Sequence, residues 1–333
     1  MKIRRSFFIA LPIGLLLSTA IYAGLFFLQL GVPTPQWTWL HGVVEAKRKA
    51  AEAVTKPKLL IVAGSSALYG INAEEIERQT GMAAVNFGTN AALGPAYTLH
   101  LTRQLCRPGD TVLLAFEYEP YLFGNVTGAT ADELFIHYVL GHDPAYVRSL
   151  SMDRQIKLAL LTPGDRLWNG LLAVFRNPNR TAPGKMTQLM LADINSHGDQ
   201  TGALPEKRTA NSPMRRDLSD PLAYGLPDSP AGFPPIREFC EWARAHNITV
   251  LATFPNICHR PEYDLPAAEK TPRQLREFYT SLGVPVLGDA REAMLPEEEF
   301  FDSLYHPMRE SALERTRRLL AHLAPFLKAP PAR

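Results

Sequence analysis

Cysteine is scarce in this chain, with three in 333 residues. That excludes a disulfide-stapled scaffold and leaves room for one disulfide at most among Cys106, Cys240 and Cys258. An excess of one charge is also missing: 35 Lys and Arg face 33 Asp and Glu. A protein that grips nucleic acid by bulk charge is therefore disfavoured. The combination of few apolar residues and high net charge that keeps chains disordered is absent as well, since 46% of residues are hydrophobic. No internal repeat is present. Length alone allows two domains of about 150 residues, or one large α/β domain with insertions.

The most consequential absence is local. No Asp, Glu, Lys or Arg occurs from Ser6 to Val44. Inside that stretch, Phe7 to Leu30 is a 24-residue uncharged run, and about 20 apolar residues cross the hydrocarbon core of a bilayer as a helix. Lys2, Arg4 and Arg5 precede it. The positive-inside rule puts them in the cytoplasm and the rest of the chain on the periplasmic or extracellular side. Trp37 and Trp39 follow the run and suit the membrane interface. Beyond the first 30 residues, 32 basic residues face 33 acidic ones, so the positive balance of the chain is a topology signal. A cleaved signal peptide is the other reading, with small residues at Ala20 to Ala23. The apolar run nevertheless continues through Gly24 to Leu30, past the usual h-region of about 7–15 residues. Both readings export the remainder. The expectation is a single-pass protein of a bacterial inner membrane, with the bilayer as a partner. Its parts are a flank and span at 1–31, a juxtamembrane linker at 32–57, an α/β domain at 58–328 and a tail at 329–333.

The exported part alternates strands and helices. Val43–Val54 is amphipathic and leads off the membrane. Lys58–Ala63, Ala83–Phe87, Thr111–Phe116, Thr249–Phe254 and Val284–Leu287 read as five short buried strands. Asn72 with Glu75 forms a capping box for a helix to Thr80, stopped by Gly81. Ala96–Leu105 and Ile236–Ala245 read as helices. Thr271 and Pro272 place an N-cap and an N1 proline ahead of a helix to Leu282. Met308 to about Leu327 closes the domain as an amphipathic helix. This alternation predicts an α/β fold, a flavodoxin-like three-layer α/β/α with a five-stranded parallel sheet in the order 2-1-3-4-5, preceded by one transmembrane helix. The pattern lapses at about 121–235, a proline-rich insertion whose expected helical pieces are Phe135–Leu140, Gln155–Leu161 and Leu167–Phe175. Lys328–Arg333 reads as a frayed end.

Ligands of such sheets sit beyond the carboxyl ends of the strands, where strand order reverses. Four segments converge there: Ser65 and Ser66, Gly88 to Asn90, Glu117 to Glu119, and the Asp302–His306 stretch before the last helix. A serine hydroxyl is a weak nucleophile until a base takes its proton, and the base needs an acid to fix its tautomer. Ser66, His306 and Asp302 supply those roles. Backbone N–H groups of Ser66 and Gly88, with an Asn amide, would hold a tetrahedral oxyanion.

These residues resemble the SGNH (GDSL-like) hydrolase superfamily. The likeness is to its membrane-anchored envelope branch, which includes polysaccharide O-acetyltransferase proteins of alginate type and the D-alanyl transfer protein of teichoic acid pathways. The matching stretches are VAGSSALYGIN (Val62–Asn72), VNFGTN (Val85–Asn90) and FFDSLYHPMRESALERT (Phe300–Thr316). The resemblance covers about 58–120 and 236–327, and implies Ser66 as nucleophile, His306 as base, Asp302 as its orienting acid and Gly88 as an oxyanion donor. Three positions depart from the pattern. Ser65 stands where the family has Asp. Glu117-Tyr118-Glu119-Pro120 replaces the Gly-x-Asn-Asp block, which leaves Asn90 as the substitute oxyanion amide. The acid-to-base spacing is one residue longer than Asp-x-x-His. Implied partners are an envelope glycan or acyl donor and a membrane-bound O-acyltransferase; no cofactor is expected.

Other constellations carry less. His137 with His142 and Asp143 suggests a metal site, but third and fourth ligands are not evident and a polar loop is the better reading. Glu117 with Glu119 is a paired-carboxylate motif, for which structural or substrate-binding roles are preferred. Ser65, Glu117, Tyr118 and Tyr305 are candidate substrate contacts, and Tyr118 and Tyr121 candidate sugar-stacking rings. The function expected is transfer or hydrolysis of an acyl ester on an envelope glycan or lipid. The alternative is a catalytically inactive scaffold or glycan-binding subunit of an envelope modification complex.

Overall fold

The computed structural model describes residues 2–122, 133–175, 185–208 and 221–327. Five strands form one parallel sheet: β1 (Lys58–Ala63), β2 (Ala83–Gly88), β3 (Thr111–Leu114), β4 (Thr249–Thr253) and β5 (Val286–Leu287). Their order is β2-β1-β3-β4-β5, so it reverses between β1 and β3. β1 pairs with β2 from Lys58–Ala83 to Ala63–Gly88 and with β3 from Leu59–Thr111 to Val62–Leu114. Every residue of β1, β2 and β3 is buried, as the near-continuous apolar runs of parallel strands require. At the start of β1, the buried Lys58 ammonium lies 2.7 Å from Asp110, tying β1 to the turn before β3.

Fourteen α-helices are present among the described residues: α1 (Lys2–Leu28), α2 (Thr38–Ala53), α3 (Ser65–Gly70), α4 (Ala73–Thr80), α5 (Gly94–Leu105), α6 (Glu133–His142), α7 (Pro144–Ser149), α8 (Met152–Leu161), α9 (Gly164–Phe175), α10 (Lys185–Ala192), α11 (Pro221–Tyr224), α12 (Phe233–Ala245), α13 (Lys270–Ser281) and α14 (Arg309–Leu323). Phe7–Leu28 of α1 is long and apolar enough to cross a membrane. The α4 start has the expected chemistry: Asn72 Oδ1 accepts from the Glu75 N–H at 2.6 Å, and Gly81 ends the helix with φ +70°.

Several boundaries differ from the sequence expectation, for physical reasons. β5 has two residues, because Pro285 has no N–H to donate to the ladder. β3 stops at Leu114, after which the chain turns to bring the Glu117 carboxylate under α3. Thr271 is not an N-cap: α13 starts at Lys270 straight out of a 3₁₀ turn, Pro266–Glu269, and the buried Thr271 hydroxyl donates to the Pro221 carbonyl. α14 ends at Leu323 and continues as a 3₁₀ turn, Ala324–Phe326. An unexpected second pairing, Ile257–Cys258 with Met294–Leu295, is parallel.

The three helical pieces expected in the insertion lie within α6, α8 and α9; α7, α10 and α11 were not anticipated. Phe135, Val139 and Leu140 of α6 join Phe26, Leu93, Tyr97 and Leu158 in an apolar cluster separate from the one around the sheet. Pro178, Pro183, Pro213 and the Lys328–Arg333 tail lie outside the described residues.

Candidate functional site

β1 runs into Gly64, and α3 begins at the next residue. A Cβ on Gly64 would meet the Ala91 nitrogen at 2.5 Å and Glu117 Oε1 at 2.6 Å, so only glycine fits. Glu117 is 1% exposed. Its Oε1 accepts the Ser66 N–H at 2.6 Å and its Oε2 accepts the Gly64 N–H at 3.1 Å. Burial raises its carboxyl pKa above the ordinary range, opposed by the N–H donors of Ser66 and Gly64 and by the charge of His306. Glu117 thus takes up the free N–H groups at the start of α3, and His306 lies within electrostatic reach of it.

The two serines differ. Ser66 is 1% exposed, and its Oγ donates to the Ala115 carbonyl at 3.1 Å. The expected Ser66–His306 hydrogen bond is not formed. The Ser66 carbonyl accepts from Asn256 Nδ2 at 3.2 Å. Ser65 is half-buried. It lies four residues before Tyr69, and residues at that spacing share one face of a helix.

The longer Asp-to-His spacing closes a tight loop. The Phe301 N–H donates to the His306 carbonyl at 2.8 Å, and the His306 N–H to the Ser303 carbonyl at 3.2 Å. Phe300 and Pro307 form an antiparallel bridge at the loop's base. Cys258 N–H, donating to Leu304 O at 2.8 Å, pins the loop to the short second pairing. Within this frame Asp302 Oδ1 sits 2.6 Å from His306 Nδ1, a short charge-assisted contact. That leaves Nε2 as the imidazole nitrogen available for proton transfer. The Tyr69 ring stacks on His306, with centroids 4.2 Å apart and planes 20° from parallel. Ser65, Tyr69 and His306 therefore lie along one side of α3.

Two of the expected oxyanion donors, the Ser66 and Gly88 N–H groups, are engaged within the protein in this arrangement. The Gly88 N–H donates to Asn86 Oδ1 at 2.8 Å, and the Ser66 N–H is held by Glu117. Gly88 has a packing role instead: a Cβ there would meet the Leu68 nitrogen at 2.4 Å, so its absence lets α3 lie against β2. Asn90 Oδ1 caps the turn at Ala91–Leu93 by accepting from Ala92 N–H at 2.9 Å. The neighbouring Thr89 hydroxyl is buried without a partner.

Beneath the site lies a polar support that the sequence did not signal. Asn86 Nδ2 donates to the Ala67 and Ile71 carbonyls at 2.8 and 2.7 Å, closing α3 onto β2. The fully buried Lys47 ammonium donates to Asn86 O at 2.9 Å, Asn86 Oδ1 at 3.2 Å and Gly198 O at 2.5 Å. Burial lowers its pKa to about 7, against the raising effect of Asp199.

Other sequence candidates are placed elsewhere. Tyr118 and Tyr121 are 0% and 1% exposed and belong to the core, so neither ring is open to a sugar. Glu117 and Glu119 have separate tasks, since Glu119 Oε2 accepts from the Tyr305 hydroxyl at 2.7 Å. This bond fixes the candidate substrate contact Tyr305 within the protein. His142 stacks on His41 at 4.0 Å, and burial lowers its pKa to about 3. Asp143 caps α7 through the Tyr146 N–H. Among the described residues the one cluster with metal-ligand spacing is Glu133, His137 and Asp165. The Arg166 charge bears on His137 there, an unfavourable neighbour for a second cation. Cys106, Cys240 and Cys258 are free thiols.

No family model matches the chain, and no curated protein matches it. Tyr69 and Asn256 are the contacts that sequence reasoning missed. The available signals were the four-residue spacing from Ser65 and the Pro255-Asn256 step after β4.

Proposed function

We propose that this protein is a membrane-anchored serine esterase or O-acyltransferase of the SGNH type. In this reading the domain is a flavodoxin-like three-layer α/β/α held on the periplasmic face of a bacterial inner membrane by α1. It acts on an acyl ester of an envelope glycan or lipid. The observation that carries the reading is the His306–Asp302 pair at 2.6 Å, stacked through Tyr69 on the helix that begins Ser65-Ser66. Asp302 holds the imidazole, His306 Nε2 takes the proton of a serine hydroxyl as its Oγ attacks the acyl carbon, and the same proton then passes to the leaving oxygen. Water as second nucleophile gives an acid product; a sugar hydroxyl gives transfer. For the oxyanion to use the Ser66 N–H, the Glu117 carboxylate must give up that bond.

A second reading, a catalytically inactive scaffold of an envelope modification complex, is favoured by a specific observation. The Ser66 hydroxyl proton and the Ser66 and Gly88 N–H groups are all taken by protein acceptors. Incubation of the full chain in detergent micelles with a fluorophosphonate and with p-nitrophenyl acetate separates the two. Covalent labelling and turnover that vanish in His306→Ala support the enzyme. A folded chain with neither supports the scaffold.

A further inference from the structure

The last turns of α1 are not surrounded by solvent or lipid on every side. From Phe7 to Ile21 its large apolar side chains are exposed, Leu16 by 70%. From Tyr22 onward one face is covered: Phe26 and Gln29 are each 1% exposed, while Leu25, Phe27 and Leu28 remain open on the opposite face. The cover comes from the insertion. The Tyr22 hydroxyl donates to the Ala159 carbonyl of α8. Phe26 and Leu158 lie in one apolar cluster. Gln29 Oε1 accepts from Arg166 Nη1 at 2.9 Å, and Arg166 Nη2 donates to Val32 O at 3.1 Å. Gly170 lets this pair in, since a Cβ there would meet Gln29 Oε1 at 2.0 Å.

Tyr22 lies six residues before the end of α1, about 9 Å along its axis at about 1.5 Å per residue. Interfacial helices bury their apolar faces about 5–10 Å into the headgroup and acyl boundary, so a helix touching α1 at Tyr22 lies at that depth. The side chains that α8 and α9 turn outward fit the same place. Met152, Ile156 and Leu160, spaced four apart along α8, are 69%, 54% and 75% exposed; Trp168 and Phe175 of α9 are 62% and 80% exposed. An apolar stripe of this kind is unfavourable in water, and it lies on helices that touch α1 near its end. Arg154 is exposed on the same helix, and an arginine can lay its stem along apolar surface while its head stays at the polar boundary.

We propose that α8 and α9 form a second membrane contact, lying in the interface of the leaflet on the domain's side, with Met152, Ile156, Leu160, Trp168 and Phe175 in lipid. The domain is then held by three helices at a fixed height instead of swinging on one. The inference rests on the reading that α1 spans the bilayer.

The test places single nitroxide labels on the full chain in phosphatidylethanolamine–phosphatidylglycerol vesicles, at Leu16→Cys, Leu160→Cys and Tyr224→Cys. The unsubstituted chain provides the background from its own thiols. Tyr224 is 68% exposed on α11 and reports the aqueous side. Collision with oxygen is compared with collision with a water-soluble nickel chelate. Labels at 16 and 160 that both favour oxygen severalfold, with 224 favouring nickel, support the proposal. A label at 160 that matches 224 while 16 favours oxygen overturns the proposal and leaves the anchor intact. A label at 16 that matches 224 overturns both.

Discussion

The Tyr69 ring covers the His306 ring at 4.2 Å, nearly parallel. That contact joins two parts of the chain separated by more than two hundred residues: the helix after β1 and the loop before α14. It gives the imidazole a fixed plane, while Asp302 fixes its rotation through Nδ1. Tyr69 is half-buried, and burial, followed by the charges of Asp302 and Asp193, raises its phenol pKa well above the usual value. The ring therefore stays neutral and acts as an apolar platform.

The two serines make separable predictions. Ser66→Ala removes the hydroxyl that the SGNH resemblance designates, together with its bond to Ala115. Ser65→Ala removes the hydroxyl on the same helical face as Tyr69. Fluorophosphonate labelling is expected to be lost in one variant and kept in the other, and peptide mapping of the labelled chain names the nucleophile. Labelling that persists in both would rule out either serine as the attacking group.

Glu117→Gln tests the clamp at the start of α3. The folded state holds the Glu117 proton to a higher pH than the usual 4.5, so between that value and its folded pKa the native state binds more protons than the unfolded one. Its contribution to stability accordingly falls as pH rises through this window. Glutamine does not titrate, so this part of the fall should disappear. It also accepts through one oxygen where the carboxylate uses two, so one N–H of Gly64 or Ser66 goes unpaired, at about 1–3 kcal/mol. Urea midpoints across mildly acidic to neutral pH check both effects. Parallel pH profiles for the two proteins would refute the titration argument.

The strand order was legible because the β1, β2 and β4 runs are short, apolar and bounded by Gly, Pro and Asn, and because right-handed crossovers prune the alternatives. Asp302 and His306 were legible as a pair for a similar reason: few loops place an acid and an imidazole side by side just before a terminal helix. Lys47 was not. On a sequence it is one more Lys on an amphipathic helix, and only tertiary packing carries it to Asn86 and Gly198. Glu117 stood out only against the pattern of the family the sequence resembles, whereas its use as a backbone acceptor depends on where β3 ends. In the insertion, α7 and α11 were hidden because each opens on a proline, Pro144 and Pro221. The role of Tyr22 and Phe26 was hidden because, within an apolar run, a residue facing protein reads the same as one facing lipid.

Lys47→Met isolates a buried amine. The unfolded chain keeps its proton to about 10.5 and the folded chain to about 7. Between those values the unfolded state binds the extra proton, so stability rises with pH across the window; below it both states are charged and the burial penalty is complete. The wild-type chain should gain on the order of a few kcal/mol from this group between about pH 7 and about pH 10, and the Met variant should lack that gain. The variant also leaves the Asn86 and Gly198 carbonyls without their donor, at about 1–3 kcal/mol. Denaturation midpoints at several pH values decide it; an unchanged alkaline rise in Lys47→Met would overturn the assignment.

Tyr69 supports His306 through its ring and not through its hydroxyl, which sets Tyr69→Phe against Tyr69→Ala. Phenylalanine keeps the stack and, on the proposed esterase reading, should leave turnover within about threefold of wild type, since less than about 0.7 kcal/mol separates them at the barrier. Alanine removes the platform, so the imidazole is held by Asp302 alone and samples orientations less suited to taking a serine proton. Misplacement on this scale lowers rate by about a hundredfold, and it should fall on kcat more than on KM because the lost contact does not touch the substrate. A general structural defect would lower the thermal midpoint of both variants and move kcat and KM together. Equal activity in Tyr69→Ala and Tyr69→Phe, with both folded, would show that Asp302 alone suffices to orient the base.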